Sequence, residues 1–321
     1  MEEKKKRFQI LALDGGGIKG LYSAAVLAHI EKDLEIKIAD HFDLIVGTST
    51  GGIIALALGS GLRPQNIVEF YEEWGPEIFR DGVIPKVKQF YQNKYSNKGL
   101  ENALKKCLGD KKLGESTKRL VIPSFNVDEN SVHLFKTPHH KRLKRDWKIP
   151  MWKVAMATTA APTFFPIYKG IYSLRLLDGG VWANNPSMVG IVEAKSLLNA
   201  DIDSIHLLNL GTTLEVKKRS DKLNFGGLWQ WKKDAVNLIM EGQSEGAYNQ
   251  CRLLLGESNA YRLNPIVPKN LFTLDKLNVD KLMSKASSQS REFTPIFEER
   301  FMNHIAPDYK PLYPDKGEVY E

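Results

Sequence analysis

The chain has 321 residues, 42% of them hydrophobic and 26% charged, which gives enough apolar surface for one large core and excludes wholesale disorder. Its formal net charge of +7 favours anionic partners, whether phospholipid headgroups, nucleic acid or nucleotides, without choosing among them. The two cysteines, Cys107 and Cys251, are too few and too far apart for a disulfide framework or a zinc site, no other metal-ligand spacing occurs, and a reducing cytoplasmic setting fits that usage.

At the start of the chain, Lys4, Lys5, Lys6 and Arg7 precede an apolar run, Ile10 to Leu13, that stops at Asp14 and is too short for an export signal. No stretch approaches the ~20 apolar residues needed to cross a bilayer, so membrane contact is expected to be peripheral. Phe8 to Leu13 reads as a buried strand, and Leu21, Ala24, Leu27, Ala28 and Leu34 recur at helical spacing behind a run of glycines. Phe42 to Val46 repeats the pattern, leading through Gly47-Thr48-Ser49-Thr50-Gly51-Gly52 into a buried helix. Such strand-to-helix units predict an α/β fold with a mainly parallel sheet. Residues 60 to 118 read as polar helices covering the sheet. Short strands are expected at Leu120 to Ile122, Leu174 to Leu177 and Ile205 to Leu210. A long helix is expected from Leu228 to Leu255, and the Pro-, Lys- and Asp-rich remainder reads as irregular. We therefore expect a single domain over 1–321, with a core at 8–213 and an extension at 214–321.

Gly47-Thr48-Ser49-Thr50-Gly51 between a strand and a helix has the form of a nucleophile elbow. The sharp turn needs small neighbours for the serine hydroxyl to protrude, and the helix N-terminus behind it favours a developing anion. A helix-capping serine is the competing reading. Asp14-Gly15-Gly16-Gly17-Ile18-Lys19-Gly20 admits two functions: bare glycine amides lining an oxyanion hole, or the Gly15-x-Gly17-x-x-Gly20 loop of a nucleotide-dependent oxidoreductase. Against the second, the next strand lacks the acidic end that would hold a ribose, because Asp43 comes too early. Asp178-Gly179-Gly180 leaves a short strand into a turn. Taken alone it is a turn signal. An acyl-transfer serine needs a base, however, and none of the seven histidines sits in a motif that marks one, although His206 stays open.

The glycine-rich loop, the Gly-x-Ser-x-Gly elbow and the Asp-Gly-Gly turn, in that order along the chain, resemble the patatin-like phospholipase family. The resemblance extends to Ala160-Ala161-Pro162 and to Leu210-Gly211-Thr212, and it covers residues 8 to about 213. It implies a patatin-like three-layer fold and a lipid acyl hydrolase with a Ser49-Asp178 dyad. Gly15, Gly16 and Gly17 would form the oxyanion hole, with Gly47, Gly51, Gly179 and Gly180 supporting elbow and turn. Lys19 stands where the family more often has arginine. No cofactor or metal is implied, and the substrate would be membrane phospholipid. Phe164, Phe165, Ile167, Tyr168, Ile171 and Tyr172 are candidates for an acyl groove, and the basic stretch Lys136, Lys141, Arg142, Lys144, Arg145 and Lys148 for contact with an anionic membrane face. The chain also resembles bacterial patatin-like effectors of anti-phage signalling that cyclic nucleotides activate, which would give basic and aromatic residues at 217–219 and 229–233 a nucleotide to bind. No nucleic acid polymer is expected as a partner, and a homo-oligomer stays open, as does a non-catalytic binding protein built on a hydrolase scaffold.

Overall fold

A computed structural model describes residues 6–78, 95–215, 224, 228–267 and 279–313, with side chains in the long helix from residue 238 onward. Strand β1 (Phe8–Leu13) is fully apolar apart from Gln9 and is followed, after a tight 3-10 turn over Gly17–Lys19, by α1 (Gly20–Asp33). Strand β2 (Leu44–Gly47) leads into α2 (Thr50–Gly59), a helix buried on every side. Helices α3 (Pro64–Ile78) and α4 (Asn97–Leu108) cover the same side of the sheet as α1 and α2, burying Ile67, Phe70, Leu100 and Leu104 in the main core. Then follow β3 (Arg119–Asn126), β4 (Ser131–Lys136), α5 (Met151–Thr158), β5 (Leu176–Asp178), α6 (Gly180–Ala183), α7 (Ser187–Ser196) and β6 (Ile205–Leu210).

The central sheet runs β4-β3-β2-β1-β6. Strands β1, β2, β3 and β6 run parallel to one another, and β4 on the edge is antiparallel to β3. Strand β5 has a particular place. Residues 119–121 of β3 pair with β2, and residues 124–126 of the same strand pair antiparallel with β5. Strand β5 thereby takes up β3 where β2 leaves it.

The sheet does not end at residue 213. Strand β7 (Leu214–Glu215), helix α8 (Leu228–Leu255), β8 (Ala260–Leu263), β9 (Ile266–Val267) and helix α9 (Val279–Phe301) follow, and β8 joins the sheet parallel to β6. The region expected to be irregular thus holds a 23-residue helix. Its Leu282, Ala286, Phe293, Phe297 and Phe301 recur at intervals of four or seven residues and are buried against α1, where Phe42, Phe297 and Phe301 form a ring cluster. Helices α7 and α8 pack on the opposite face of the sheet, around Ile10, Ala12, Leu207 and Ala260. The result is three layers, helix, sheet and helix.

Candidate active site

The C-terminal ends of β1 and β2 lie side by side, Leu13 opposite Gly47, so the two glycine-bearing loops leave the sheet together. Ser49 has φ 55° and ψ −121°, a strained conformation for a residue with a side chain, and it caps α2. The neighbouring glycines explain how the chain tolerates the turn. A Cβ on Gly47 would lie 2.2 Å from the Gly51 carbonyl oxygen, and one on Gly51 would lie 2.2 Å from that of Leu13. The loop closes on itself only without those carbons.

Strand β5 delivers Asp178 to the same spot. Ser49 Oγ donates to Asp178 Oδ2 at 2.7 Å, and the other carboxylate oxygen accepts the Gly180 N–H at 2.7 Å. The end of α5 braces both partners: Ser49 N donates to Thr158 Oγ1 at 3.0 Å, and Asp178 N donates to the Ala160 carbonyl at 3.0 Å. Thr158 Oγ1 in turn donates to the Pro123 carbonyl at 2.6 Å. Thr158 lies just before the Ala160-Ala161-Pro162 segment of the family resemblance, and its hydroxyl pairs with an amide 109 residues away, which no local pattern reveals. Asp178 is 5% exposed, and burial pushes its carboxyl up to about 6, against the pull of the bonds from Ser49 and Gly180.

The glycine loop is tied to the end of β6. Asp14 N donates to Leu210 O at 2.9 Å, Thr212 Oγ1 to Gly15 O at 3.2 Å, and Lys19 Nζ to the Thr213 carbonyl at 3.2 Å. The loop comes close to the serine, since a Cβ on Gly15 would lie 3.3 Å from Ser49 Cβ. The Gly15 N–H donates to the Asn184 carbonyl at 2.9 Å, and Gly17 lies at φ 59°.

The histidines are placed elsewhere. His206 sits near the N-terminal end of β6, in register with Gln9, at the far end of the strands from Ser49; burial and the neighbouring Arg7 and His304 push it down to about 4. His304 Nε2 meets Asp43 Oδ2 at 2.7 Å, and His41 Nδ1 meets the His304 carbonyl. His139 pairs with Glu193, His140 with the Arg142 amide and His133 packs on Phe135, while His29 lies in α1. Asp43 is likewise at the wrong end of β2 for a ribose, and it holds Gln9 N. The oxidoreductase reading loses its acid.

Of the acyl-groove candidates, Phe165, Tyr168 and Ile171 pack into the core, whereas Phe164 and Ile167 are half-buried and Tyr172 is exposed. Lys141, Arg142, Lys144 and Arg145 are exposed on a loop held in place from three sides: Tyr172 Oη donates to Arg145 O, Tyr313 Oη to Lys141 O, and Trp147 stacks on Tyr313. Lys217, Lys218 and Arg219 lie outside the described residues, as do the side chains of Trp229, Trp231, Lys232 and Lys233. Among the described residues no helix is long and apolar enough to span a membrane, and no three His, Cys, Asp or Glu side chains cluster as a metal site.

The sequence model of the patatin-like phospholipase family matches residues 11–190, which include both glycine loops, the serine elbow and the Asp-Gly-Gly turn. This chain belongs to the patatin-like phospholipase family. Proteins named cGAMP-activated phospholipase are similar over most of its length. One from Escherichia coli (strain TW11681) is 34% identical, covering 91% of this chain and 90% of that protein. Another from Pseudomonas aeruginosa (strain BWHPSA011 / Pa011) is 31% identical over 85% of this chain and 84% of its own. By contrast, Patatin-like protein 1 of Arabidopsis thaliana, 33% identical, covers 63% of this chain and 55% of that protein. Among solved structures, VipD from Legionella pneumophila shares the fold with a TM-score of 0.50 at 12% identity, over 92% of this chain and 67% of that one.

Proposed function

We propose that this chain is a serine-dependent lipid acyl hydrolase that cleaves fatty acyl esters of membrane phospholipids through a Ser49-Asp178 dyad, and that a cyclic nucleotide activates it. The observation that carries the reading is the 2.7 Å bond from the Ser49 hydroxyl, on its strained elbow, to a buried carboxylate raised to about 6. A carboxylate of ordinary pKa is a poor base near neutrality, and burial improves it.

In the first step Asp178 takes the Ser49 proton as Oγ bonds to the ester carbonyl carbon. The oxyanion forms beside the Gly16 and Gly17 amides and the N-terminus of α2, where fixed dipoles stabilise it without reorganisation. Collapse breaks the bond to the glycerol oxygen, which leaves with the proton from Asp178. Water then gives a proton to Asp178 and attacks the acyl-serine, and the fatty acid leaves as Ser49 regains its proton. No step requires a metal. The exposed cations at 141, 142, 144 and 145 and the neighbouring Tyr172 support peripheral docking on an anionic, inner membrane face.

Support for nucleotide control comes from coverage. Alignments that span 85% and 91% of the chain must include most of residues 214–321, and they are with relatives named as cGAMP-activated. The plant relative, without that name, spans 63%. A nucleotide activates only if it binds the active arrangement more tightly than the idle one. The test is mass spectrometry of products from mixed phospholipid vesicles, with and without cGAMP, for wild type and Ser49→Ala. Fatty acid and lysophospholipid should appear with wild type, faster with cGAMP, and not with Ser49→Ala. Equal products from both proteins would refute the dyad; a rate indifferent to cGAMP and other cyclic oligonucleotides would refute the gating alone.

A further inference from the structure

A second buried polar cluster lies directly beneath the glycine loop, on the face of the sheet that carries α7 and α8. Pairing sets it up. Ala12 on β1 is opposite Asn209 on β6, and Asn209 is opposite Arg262 on β8. Paired residues of parallel strands share a face, and Asp14, two residues beyond Ala12, follows the same side. Asp14, Asn209 and Arg262 therefore converge, with side chains 7% exposed or less.

The bonding is complete around the carboxylate. Asn209 Nδ2 donates to Asp14 Oδ1 at 2.7 Å, Arg262 Nη1 donates to Asp14 Oδ2 at 2.8 Å, and Arg262 Nη1 also donates to Asn209 Oδ1. The cluster continues to the other half of the site. Asn185 Nδ2 donates to Asn209 Oδ1 at 3.2 Å and to the Ser244 carbonyl on α8 at 3.2 Å, and Asn184, whose carbonyl holds the Gly15 N–H, donates from Nδ2 to Ser244 Oγ at 3.1 Å. Arg262 Nη2 also faces Glu245 of α8 at 3.6 Å. Asp14 immediately precedes Gly15, so its orientation sets where the Gly16 and Gly17 amides point. Removing the guanidinium would leave a buried carboxylate short of a partner, and such a group reorients or takes up a proton.

We propose that Arg262 is a positioning residue for the hydrolysis: through Asp14 and Asn209 it fixes the backbone of the glycine loop that receives the oxyanion, and it makes the active site dependent on β8 and α8. This rests on the hydrolase reading above. It gives the C-terminal third a defined task in the chemistry.

The test uses the full chain with the substitutions Arg262→Lys, Arg262→Gln, Asp14→Asn and the double change Arg262→Lys with Asp14→Asn. Three quantities are read: kcat and KM on a soluble p-nitrophenyl ester, the rate at which a fluorophosphonate labels Ser49, and thermal unfolding by circular dichroism. Labelling passes through an oxyanion at phosphorus, so it senses the same amides. Each single variant should fold, lose about tenfold or more in kcat with KM within about twofold, and be labelled correspondingly slowly. The double variant should be no worse than the poorer single, because both substitutions cut one linkage. Arg262 variants that fold with wild-type kcat and labelling, or losses that add, would overturn the proposal. So would failure of both Arg262 variants to fold, which would make the pair purely structural. Wild-type protein that, with cGAMP present, neither hydrolyses the ester nor is labelled at Ser49 would instead overturn the hydrolase reading itself.

Discussion

In the proposed dyad, the burial that makes Asp178 a better base also penalises it in stability. Its folded pKa, about 6, lies above the ~3.9 of an unfolded aspartate, so the folded chain binds the proton more tightly. The contribution of the protonated carboxyl is fully present below about pH 4 and is lost as pH rises through 6, leaving at neutral pH a cost on the order of 2 to 3 kcal/mol. Asp178→Asn should therefore melt a few degrees higher than wild type at pH 7.5 and show no such gain at pH 4, while hydrolysis falls by about 10⁴ or more. Calorimetry and an ester assay on one preparation decide it; a variant that is active, or less stable at pH 7.5, contradicts the assignment. In the wild type, kcat/KM should fall below about pH 6 as the base is protonated. Ser49 was legible in the sequence as a candidate because its elbow demands glycines at fixed offsets, and Asp178 was marked as its candidate base by the family resemblance, since an Asp-Gly-Gly turn alone is only a turn signal. Thr158, Asn209 and Arg262 were not, since a threonine, an asparagine and an arginine carry no local sign of a partner brought in by strand pairing.

Helix α9 is the clearest case of an element hidden by composition. The Pro-, Lys- and Asp-rich composition suggested irregular chain, yet Pro295 falls in the last third of a 23-residue helix, and the aromatic spacing at 293, 297 and 301 is helical. Strands β1 and β6 were readable to the residue because both faces are covered, which yields a short run that is apolar at most positions. Strands β4 and β8 were not, for opposite reasons: β4 is a half-exposed edge, and β8 is four residues long with a buried arginine in it. Helix α9 should be expensive to damage. Phe297 is fully buried among Phe42, Phe293 and Phe301, so Phe297→Ala should cost about 3 to 5 kcal/mol in denaturant unfolding. A loss below about 1 kcal/mol would mean that α9 is not docked on α1 as described.

The surface adds a predicted response to salt. With a net charge of +7 and a rigidly held basic loop, association with anionic vesicles should weaken as ionic strength rises. Neutralising Lys141, Arg142, Lys144 and Arg145 together should reduce co-sedimentation severalfold at low salt and flatten that salt dependence; unchanged co-sedimentation would leave the loop as an ordinary solvated face. The order in which the chain leaves the ribosome gives the C-terminal elements a further meaning. By the time Asp178 has emerged, Ser49 and Asp178 are both present, but the Arg262 partner of Asp14 lies 84 residues further on and the helix that covers α1 further still. On the proposed dyad and the proposed positioning role, a growing chain thus carries its nucleophile and base well before the guanidinium that holds its glycine loop, and a nascent lipid hydrolase stays unfinished until β8 has been made.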